Sequence, residues 1–200
     1  MEMVQEDVGL AARLAGRIGG LRKSRGLTLE DLAGRSGVSR SMLSLIERSE
    51  ASPTAAVLDR IAAGLSVSLS TLFAAEPQEA EASPLARRRE QVEWRDPESG
   101  YVRRNLSPPG FVSPIQMAEI TFPAGARVAF DTADREVRLH QQIFVLEGQM
   151  ELSLGRKRHR LSAGDCLAMH VEGPVGFFNP GPRRARYIVV NVSDRDRNRR

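Results

Sequence analysis

The sequence predicts a multidomain protein, α plus all-β, in which a helical domain precedes a β domain, and three observations support this division. Between residues 9 and 73, apolar side chains recur at helical spacing, as at Leu14 and Ile18. After residue 113, short apolar or alternating runs are separated by Gly, Pro and Asp, as is typical of β-strands. Residues 76–104 instead alternate acidic and basic side chains without a clear period.

These changes in the pattern of apolar and charged residues predict the domain boundaries. We expect a helical domain over residues 9–75, a linker over 76–104, a β domain over 105–193 and a charged tail over 194–200. The 200 residues are 41% hydrophobic and 27% charged, which is ordinary for a soluble globular protein and excludes fibrous or wholly disordered classes. The net charge of +4 is modestly basic and compatible with a polyanionic partner.

The cysteine content and the apolar stretches of the sequence indicate the cellular compartment of the protein. Cys166 is the single cysteine, so no internal disulfide can form and a reducing compartment is indicated. We expect the Cys166 side chain to be buried as a small hydrophobic residue. The acidic start lacks the apolar stretch of a secretory signal. The longest uncharged stretch, residues 61–75, is shorter than the about 20 residues of a membrane span. We therefore expect a cytoplasmic protein without a membrane segment.

Residues 28–46 predict a helix, a tight turn and a second helix. Thr28 is placed to cap the first helix, and Asp31 complements its dipole. Gly37 falls at the turn, where a left-handed backbone conformation suits glycine. Ser39 is placed to cap the second helix, whose apolar positions face back toward the first.

This stretch resembles the XRE-type, or phage-repressor-like, helix-turn-helix regulators. The resemblance covers about residues 14–73 and follows the five-helix pattern of the family. The matching elements are Leu32-Ala33, Gly37-Val38-Ser39, Ile46-Glu47, Ser52-Pro53-Thr54 and Leu72-Phe73. The resemblance implies a DNA-binding domain whose second motif helix enters the major groove. It places four residues nearest the bases: Arg40, Ser41, Ser44 and Leu45.

The chemistry of these residues fits that placement. Arg40 suits a bidentate contact to guanine, the two serines reach bases or phosphates, and Leu45 suits a thymine methyl. Residues 1–75 carry nine basic and eight acidic side chains, so affinity must come from placement and dimerisation rather than from bulk charge. Further contacts to the DNA backbone are expected from Thr28, Ser39, Arg17, Arg22, Lys23 and Arg25.

The second domain resembles the cupin family of small jelly-roll barrels, also called double-stranded β-helices. The resemblance covers about residues 113–192. It rests on Val145-Leu146-Glu147-Gly148, Gly155, Leu161-x-x-Gly164-Asp165 and Asn179-Pro180-Gly181. The resemblance implies an antiparallel barrel, and cupin barrels commonly pair into dimers.

Metal-dependent cupins carry three histidines and a glutamate at fixed spacing, and this sequence departs from that pattern. The four ligand positions are held by Arg135, Val137, Gln141 and Val175. A longer spacing would place Asp134 and Glu136 at the first two positions, where they would bind a hard cation weakly. His140 has the opposite strand parity to Gln141 and is expected to point outward. We therefore expect neither a metal, nor a cofactor, nor catalysis.

The barrel interior retains the character of a small-molecule site. Arg135 and Gln141, if inward, supply a cation and an amide that suit an anionic or amide-bearing metabolite. The apolar members of the expected site are Val137, Met117, Met169, Val175 and Phe177. The alternative is that Arg135 lies on the rim and the interior is packed without a ligand.

Together these observations predict a transcriptional regulator in which the helical domain binds a palindromic operator in double-stranded DNA. The barrel senses a small effector and supports a homodimer, and repression is favoured over activation. One alternative is a metal-dependent cupin enzyme, such as a dioxygenase or isomerase, fused to a helix-turn-helix module. Another is a protein-interaction module whose helical bundle has lost DNA binding.

Overall fold

The amino-terminal part of the chain is helical. A computed structural model describes residues 2–73, 82–131 and 138–194. Its described residues form five α-helices, as predicted: α1 (Glu2–Ser24), α2 (Leu29–Ser36), α3 (Arg40–Glu47), α4 (Ala55–Gly64) and α5 (Leu69–Phe73). The helix that was expected to start near residue 9 begins at Glu2. None of the described helices combines the length and apolar character needed to cross a membrane.

The five helices enclose one apolar centre in which α4 lies directly behind α2. Leu32, Leu43 and Leu58 are completely buried there. The closest approach is at Gly64, where an added Cβ would lie 3.0 Å from Ser36 Cβ. A side chain at this position would force its neighbours on α2 to shift by a few tenths of an ångström, so glycine favours the close packing of α2 against α4.

In the rest of the described chain, a short 3-10 helix (Arg88–Glu90) precedes ten strands that form two antiparallel sheets, and the buried faces of these sheets share a core. The strands are β1 (Glu93–Arg95), β2 (Val102–Asn105), β3 (Ile115–Phe122), β4 (Arg127–Phe130), β5 (Arg138–Glu147), β6 (Gln149–Leu154), β7 (Lys157–Ser162), β8 (Cys166–Val171), β9 (Val175–Phe178) and β10 (Ala185–Asp194). One sheet has the order β1-β2-β3-β10-β5-β8 and the other β4-β9-β6-β7. This is the predicted jelly-roll architecture, and the fold class of a repressor-like helical domain followed by a cupin barrel is confirmed.

Part of the predicted linker belongs to the barrel. Strand β1 and the first three residues of β2 lie within residues 76–104, and both strands extend the six-stranded sheet through β3. The sequence pattern concealed them because they are short and because Arg103, an inward position of β2, is charged yet only 5% exposed. A buried arginine breaks the apolar alternation by which a strand is recognised. The boundary predicted at residue 105 therefore falls at the end of β2, and residues 195–200 of the tail lie outside the described chain.

Strand parity decides two further expectations. His140 lies on the outer face of β5 as predicted, with its ring 4.5 Å from that of His170 on β8. Cys166 was expected to be buried but is exposed. It occupies an outward position of β8, whose inward positions are Met169 and Val171.

The helical domain and the barrel are joined by a continuous buried junction. The backbone N–H of Ala55 at the start of α4 donates to Asp96 Oδ1 in the β1–β2 turn at 2.9 Å. Asn105 Nδ2 donates to the carbonyl oxygen of Phe73 at 2.9 Å. Trp94 packs between Phe73 of α5 and Tyr101, with ring centroids at 5.4 and 5.6 Å. The two domains therefore dock directly.

Asp96→Ala tests this junction. We expect it to lower the free energy of unfolding of the full chain by about 1–3 kcal/mol, because a buried backbone N–H loses its acceptor. Urea denaturation followed by circular dichroism measures the change. Glu98→Ala, an exposed position of the same turn, is the matched control and should change stability by less than about 0.5 kcal/mol. Equal effects of the two substitutions would contradict a stabilising cap across the junction.

Candidate nucleic-acid interface and barrel cavity

Helices α2 and α3 begin at the caps that the sequence predicted, and the turn between them lies at Gly37. Thr28 Oγ1 accepts from the backbone N–H of Asp31 at 3.1 Å, and Asp31 Oδ2 accepts from the N–H of Thr28 at 2.8 Å. Gly37 has φ 65°, the left-handed conformation that ends α2. Ser39 Oγ accepts from the N–H of Met42 at 3.3 Å and caps α3. Thr28 and Ser39 thus have structural roles whether or not they also contact DNA.

Helix α3 presents one polar face to solvent. The Arg40 side chain is 68% exposed, Ser41 is exposed, and Ser44 and Leu45 are half-buried. Arg40 Nε lies 3.8 Å from Glu30 Oε2, an exposed pairing of the kind that contributes little energy. The four residues predicted to contact bases therefore lie on one helix. Sequence reasoning missed an exposed apolar neighbour, Met42.

The basic residues of α1 separate into different roles. Arg22 donates through Nε and Nη2 to Glu47 of α3 at 2.7 and 2.8 Å, and both side chains are largely buried. The hydrogen bond to Glu47 raises the pKa of Arg22. Arg22 therefore anchors α3, and the expectation that it contacts DNA is corrected. Arg17 is half-buried and donates to the carbonyl of Thr71 at 3.4 Å, whereas Lys23 is exposed.

A cavity of about 70 Å³ lies where the barrel meets α4 and α5. The barrel contributes apolar and aromatic walls, and the helical domain contributes Asp59, Leu69 and Ser70. Side chains lining the cavity include Tyr101, Arg103, Ile120, Phe122, Phe130, Gln141, Val175, Phe177, Tyr187 and Asn191. The cavity therefore belongs to both domains.

Some of the residues predicted to bind the effector line the cavity and others do not. Gln141, Val175 and Phe177 line the cavity. Met169 is buried in register with Gln141 but does not line the cavity. The expectation that Met117 points inward is wrong, because β3 buries Ala118, Ile120 and Phe122 and so turns Met117 to the other face. Arg135 and Val137 lie outside the described residues.

A hydrogen-bond chain crosses the polar end of the cavity, and the sequence did not indicate it. Gln141 Nε2 donates to Asn191 Oδ1 at 2.7 Å, and Asn191 Nδ2 donates to Ser70 Oγ at 3.0 Å. Arg103 Nη2 also donates to Ser70 Oγ, at 2.8 Å. Ser70 of α5 therefore accepts from two strands of the barrel, and the interior amides connect to the helical domain through it.

Burial dominates the electrostatics of this region. It lowers the pKa of the Arg103 guanidinium and raises those of the Tyr101 and Tyr187 phenols. Both phenols are therefore neutral at physiological pH and available as hydrogen-bond donors. Cation and phenols together favour an anion at this end of the cavity.

Two of the four positions that hold metal ligands in metal-dependent cupins lie in the described part of the chain, and they carry an amide and an apolar side chain. Gln141 and Val175 both face the cavity. Across the described ranges, no group of three or more His, Cys, Asp or Glu side chains is arranged to hold a metal ion. Asp134 and Glu136, the alternative ligand positions, lie outside those ranges.

Comparison with known proteins links both parts of the chain to transcriptional regulators. The HTH_3 family model, described as helix-turn-helix, matches residues 20–72. The HTH-type transcriptional regulator SutR of Escherichia coli (strain K12) is 32% identical over 179 residues, or 89% of this chain and 93% of that protein. An HTH_3 family transcriptional regulator from Vibrio cholerae is 29% identical, with a TM-score of 0.71 over 93% of this chain and 98% of the other.

A more distant similarity is to an enzyme. Hydroxypropylphosphonic acid epoxidase from S. wedmorenis is 19% identical, with a TM-score of 0.42 over 91% of this chain and 98% of the other. A similarity this low carries no argument about activity.

Glu47→Gln tests the bridge that anchors α3. We expect the free energy of unfolding to fall by about 1.5–3 kcal/mol, because a largely buried charged hydrogen-bond pair is weakened. Denaturant unfolding provides the measurement, with Glu50→Gln as the control. Glu50 pairs with Arg48 at 2.8 Å, but both side chains are more than half exposed, so its loss should have little effect. A similar small change in both variants would argue against an anchoring role for Glu47.

Proposed function

The chain belongs to the helix-turn-helix transcriptional regulators, as its 32% identity to such a regulator over 89% of its length shows. From this membership we propose that it binds a palindromic operator as a homodimer and that a small effector controls this binding. That it is a DNA-binding regulator follows from the family. Sequence-specific recognition, dimerisation and effector control are the proposed steps. The observation that carries the proposal is the exposed face of α3.

Base recognition is assigned to that face. Arg40, Ser41, Ser44 and Leu45 share it, while Leu43 and Ile46 of the same helix are buried against the bundle. A helix held from behind in this way can enter the major groove with its exposed side chains directed at base edges. Thr28, Ser39, Arg17 and Lys23 are the proposed contributors to the phosphate contacts.

A homodimer is supported by the outer face of the six-stranded sheet. Phe144 is 42% exposed and Ile115 is 46% exposed, although both lie in strands of the sheet. Ile188 is the cross-strand neighbour of Phe144 and faces the same way, as does Val190 of β10. Contiguous exposed apolar side chains of this kind indicate an interface, and a second copy of the same face is the self-complementary partner.

Effector control is supported by the cavity between the domains. Its mixture of apolar walls and few polar groups is that of a small-molecule site. A ligand that binds where α4 and α5 meet the barrel can alter operator affinity through the placement of the two α3 helices. We favour repression, because an occupied promoter blocks polymerase without further surfaces, and we place the protein in the cytoplasm.

We further propose that the barrel is not catalytic. Gln141 and Val175 occupy positions where metal-dependent cupins carry a glutamate and a histidine. An amide and an isopropyl group are poor substitutes for those ligands. Elemental analysis that found near-stoichiometric iron, manganese or zinc in the purified protein would instead favour the enzyme.

Arg40→Ala tests base recognition. We expect it to weaken operator binding by about 1–3 kcal/mol and to relax discrimination at one base position in each half-site. Footprinting and binding to operators with single-base changes supply the measurement. Lys23→Ala is the comparison, because loss of a phosphate contact weakens binding to all sequences about equally. A uniform loss with Arg40→Ala would reduce Arg40 to a phosphate contact.

Phe144→Glu tests the dimer. The substitution would place a carboxylate of each copy in the buried interface, where the loss of its hydration is unfavourable, so we expect the dimer to dissociate into monomers. Light scattering during size-exclusion chromatography measures the mass. The wild-type footprint should show two half-sites separated by about one helical turn or a multiple of it. Leu85→Glu, an exposed apolar position outside both sheets, is the control and should leave the mass unchanged. A dimer that survives Phe144→Glu would exclude this face as the interface.

A further inference from the structure

We propose that the cavity at the domain junction binds a small carboxylate that also carries an amino or hydroxyl group, and that this ligand joins the helical domain to the barrel. The inference rests on the proposed effector control. It assigns the site to residues that the sequence did not indicate, with Arg103 from the barrel and Asp59 from the helical domain as the two recognition groups.

Arg103 provides the argument for a carboxylate. Its side chain is buried, its Nε has no hydrogen-bond partner, and Nη2 donates to the neutral Ser70 hydroxyl. Its guanidinium carbon lies 5.4 Å from the centre of the Phe73 ring, and the described residues give it no salt bridge. A buried cation without an anion is costly, and a ligand carboxylate in the adjoining cavity would neutralise it.

The opposite recognition group is an acceptor. Asp59 of α4 is buried and lines the same cavity. A carboxylate has about four lone-pair sites and attracts an ammonium or hydroxyl donor. A ligand that had only a carboxylate would satisfy Arg103 but would bring like charge toward Asp59. The pair of groups therefore favours an α-amino or α-hydroxy acid over a simple carboxylate.

The size of the cavity sets the size of the ligand. A volume of about 70 Å³, at about 10–15 Å³ for each water-sized position, accommodates a molecule of about six non-hydrogen atoms. Alanine and lactate have this size and both required groups. Propionate has nearly the same size and lacks the donor.

Binding is coupled to domain docking because the two recognition groups lie on different domains. Arg103 belongs to β2 and Asp59 to α4, and the Ser70 hydroxyl of α5 already joins Arg103 to Asn191. A ligand that contacts both groups requires the docked arrangement, and its stabilisation of that arrangement grows with the logarithm of its concentration above Kd. If the ligand changes the affinity for DNA by a given factor, DNA changes the affinity for the ligand by that same factor.

Trp94 is a built-in reporter of this junction. It is the single tryptophan of the chain and lies between Phe73 of α5 and Tyr101, which lines the cavity. Titration of the full-length protein with L-alanine, L-lactate and propionate should give a saturable change in Trp94 emission for at least one of the first two. The apparent affinity for propionate should be at least about tenfold lower. Alanine and lactate distinguish an amino from a hydroxyl donor.

Variants identify the residues. Arg103→Met should weaken binding about 10- to 100-fold, and it should remain folded because it replaces a buried unpaired charge with an apolar side chain. Asp59→Asn is the second variant and should reduce the preference over propionate. Arg104→Gln, the next position of the same strand, is the control because Arg104 faces outward toward Glu119 at 3.3 Å. It should retain the wild-type response.

Two results would overturn the inference. One is the absence of any change in Trp94 emission or thermal midpoint with all three compounds at millimolar concentrations. The other is a response of Arg103→Met and Asp59→Asn equal to that of the wild type. Operator footprinting without added ligand is independent of both, so loss of this inference is distinguishable from failure of the proposed DNA recognition.

Discussion

The buried junction between α5 and the barrel is the constraint on which the rest of the structure depends. Ser70 lies on a helix of only five residues, Leu69–Phe73, yet its hydroxyl accepts hydrogen bonds from Arg103 and Asn191 on two different strands. Because these polar groups are buried, separating the domains would leave donors to be solvated and apolar surface exposed at once. The helical domain thereby lines one side of the cavity, which belongs to both domains.

The same constraint determines where α3 lies. Helix α4 is fixed to the barrel by Asp96, which accepts from its first backbone N–H, and it holds α2 through the close contact at Gly64. The opposite end of α3 is tied to α1 by the Arg22–Glu47 bridge. Helix α3 is held by its buried Leu43 and Ile46 and by the bridge at Glu47, and the face that carries Arg40 stays exposed. A change at the junction has a continuous packed route to α3, the helix that we propose contacts DNA.

The interior of the junction combines aromatic surface with a few polar groups, and this combination bears on both stability and function. Phe122, Tyr187 and Phe177 continue the aromatic contacts from the junction into the barrel, with ring centroids 6.3 and 6.2 Å apart. Arg103 is buried at this junction beside the Phe73 ring, and burial lowers the pKa of its guanidinium. Burying an unpaired cation costs free energy that an apolar side chain of similar volume would not. A buried cation beside a cavity is the kind of local cost that is associated with a binding role.

The sequence by itself determined the local structure. The caps at Thr28 and Ser39 and the turn at Gly37 depend on side chains and backbone within a few residues, and each formed as expected. The five helices and the β character of the second domain followed from periodicity for the same reason. Strand parity placed His140 outward, but the parity of Met117 could not be judged without knowing the strand pairing that fixes which face is buried.

Only the tertiary structure decided which distant residues meet. Arg103 and Asn191 are separated from Ser70 by 33 and 121 residues, and no local pattern relates them. Arg22 has the charge expected of a residue that contacts DNA, yet it is buried against Glu47, a partner 25 residues away in the sequence. Strands β1 and β2 were hidden for a related reason, because a buried charge is tolerated only where the fold supplies its environment. Local signals therefore specified the elements, and long-range packing decided which of their side chains meet.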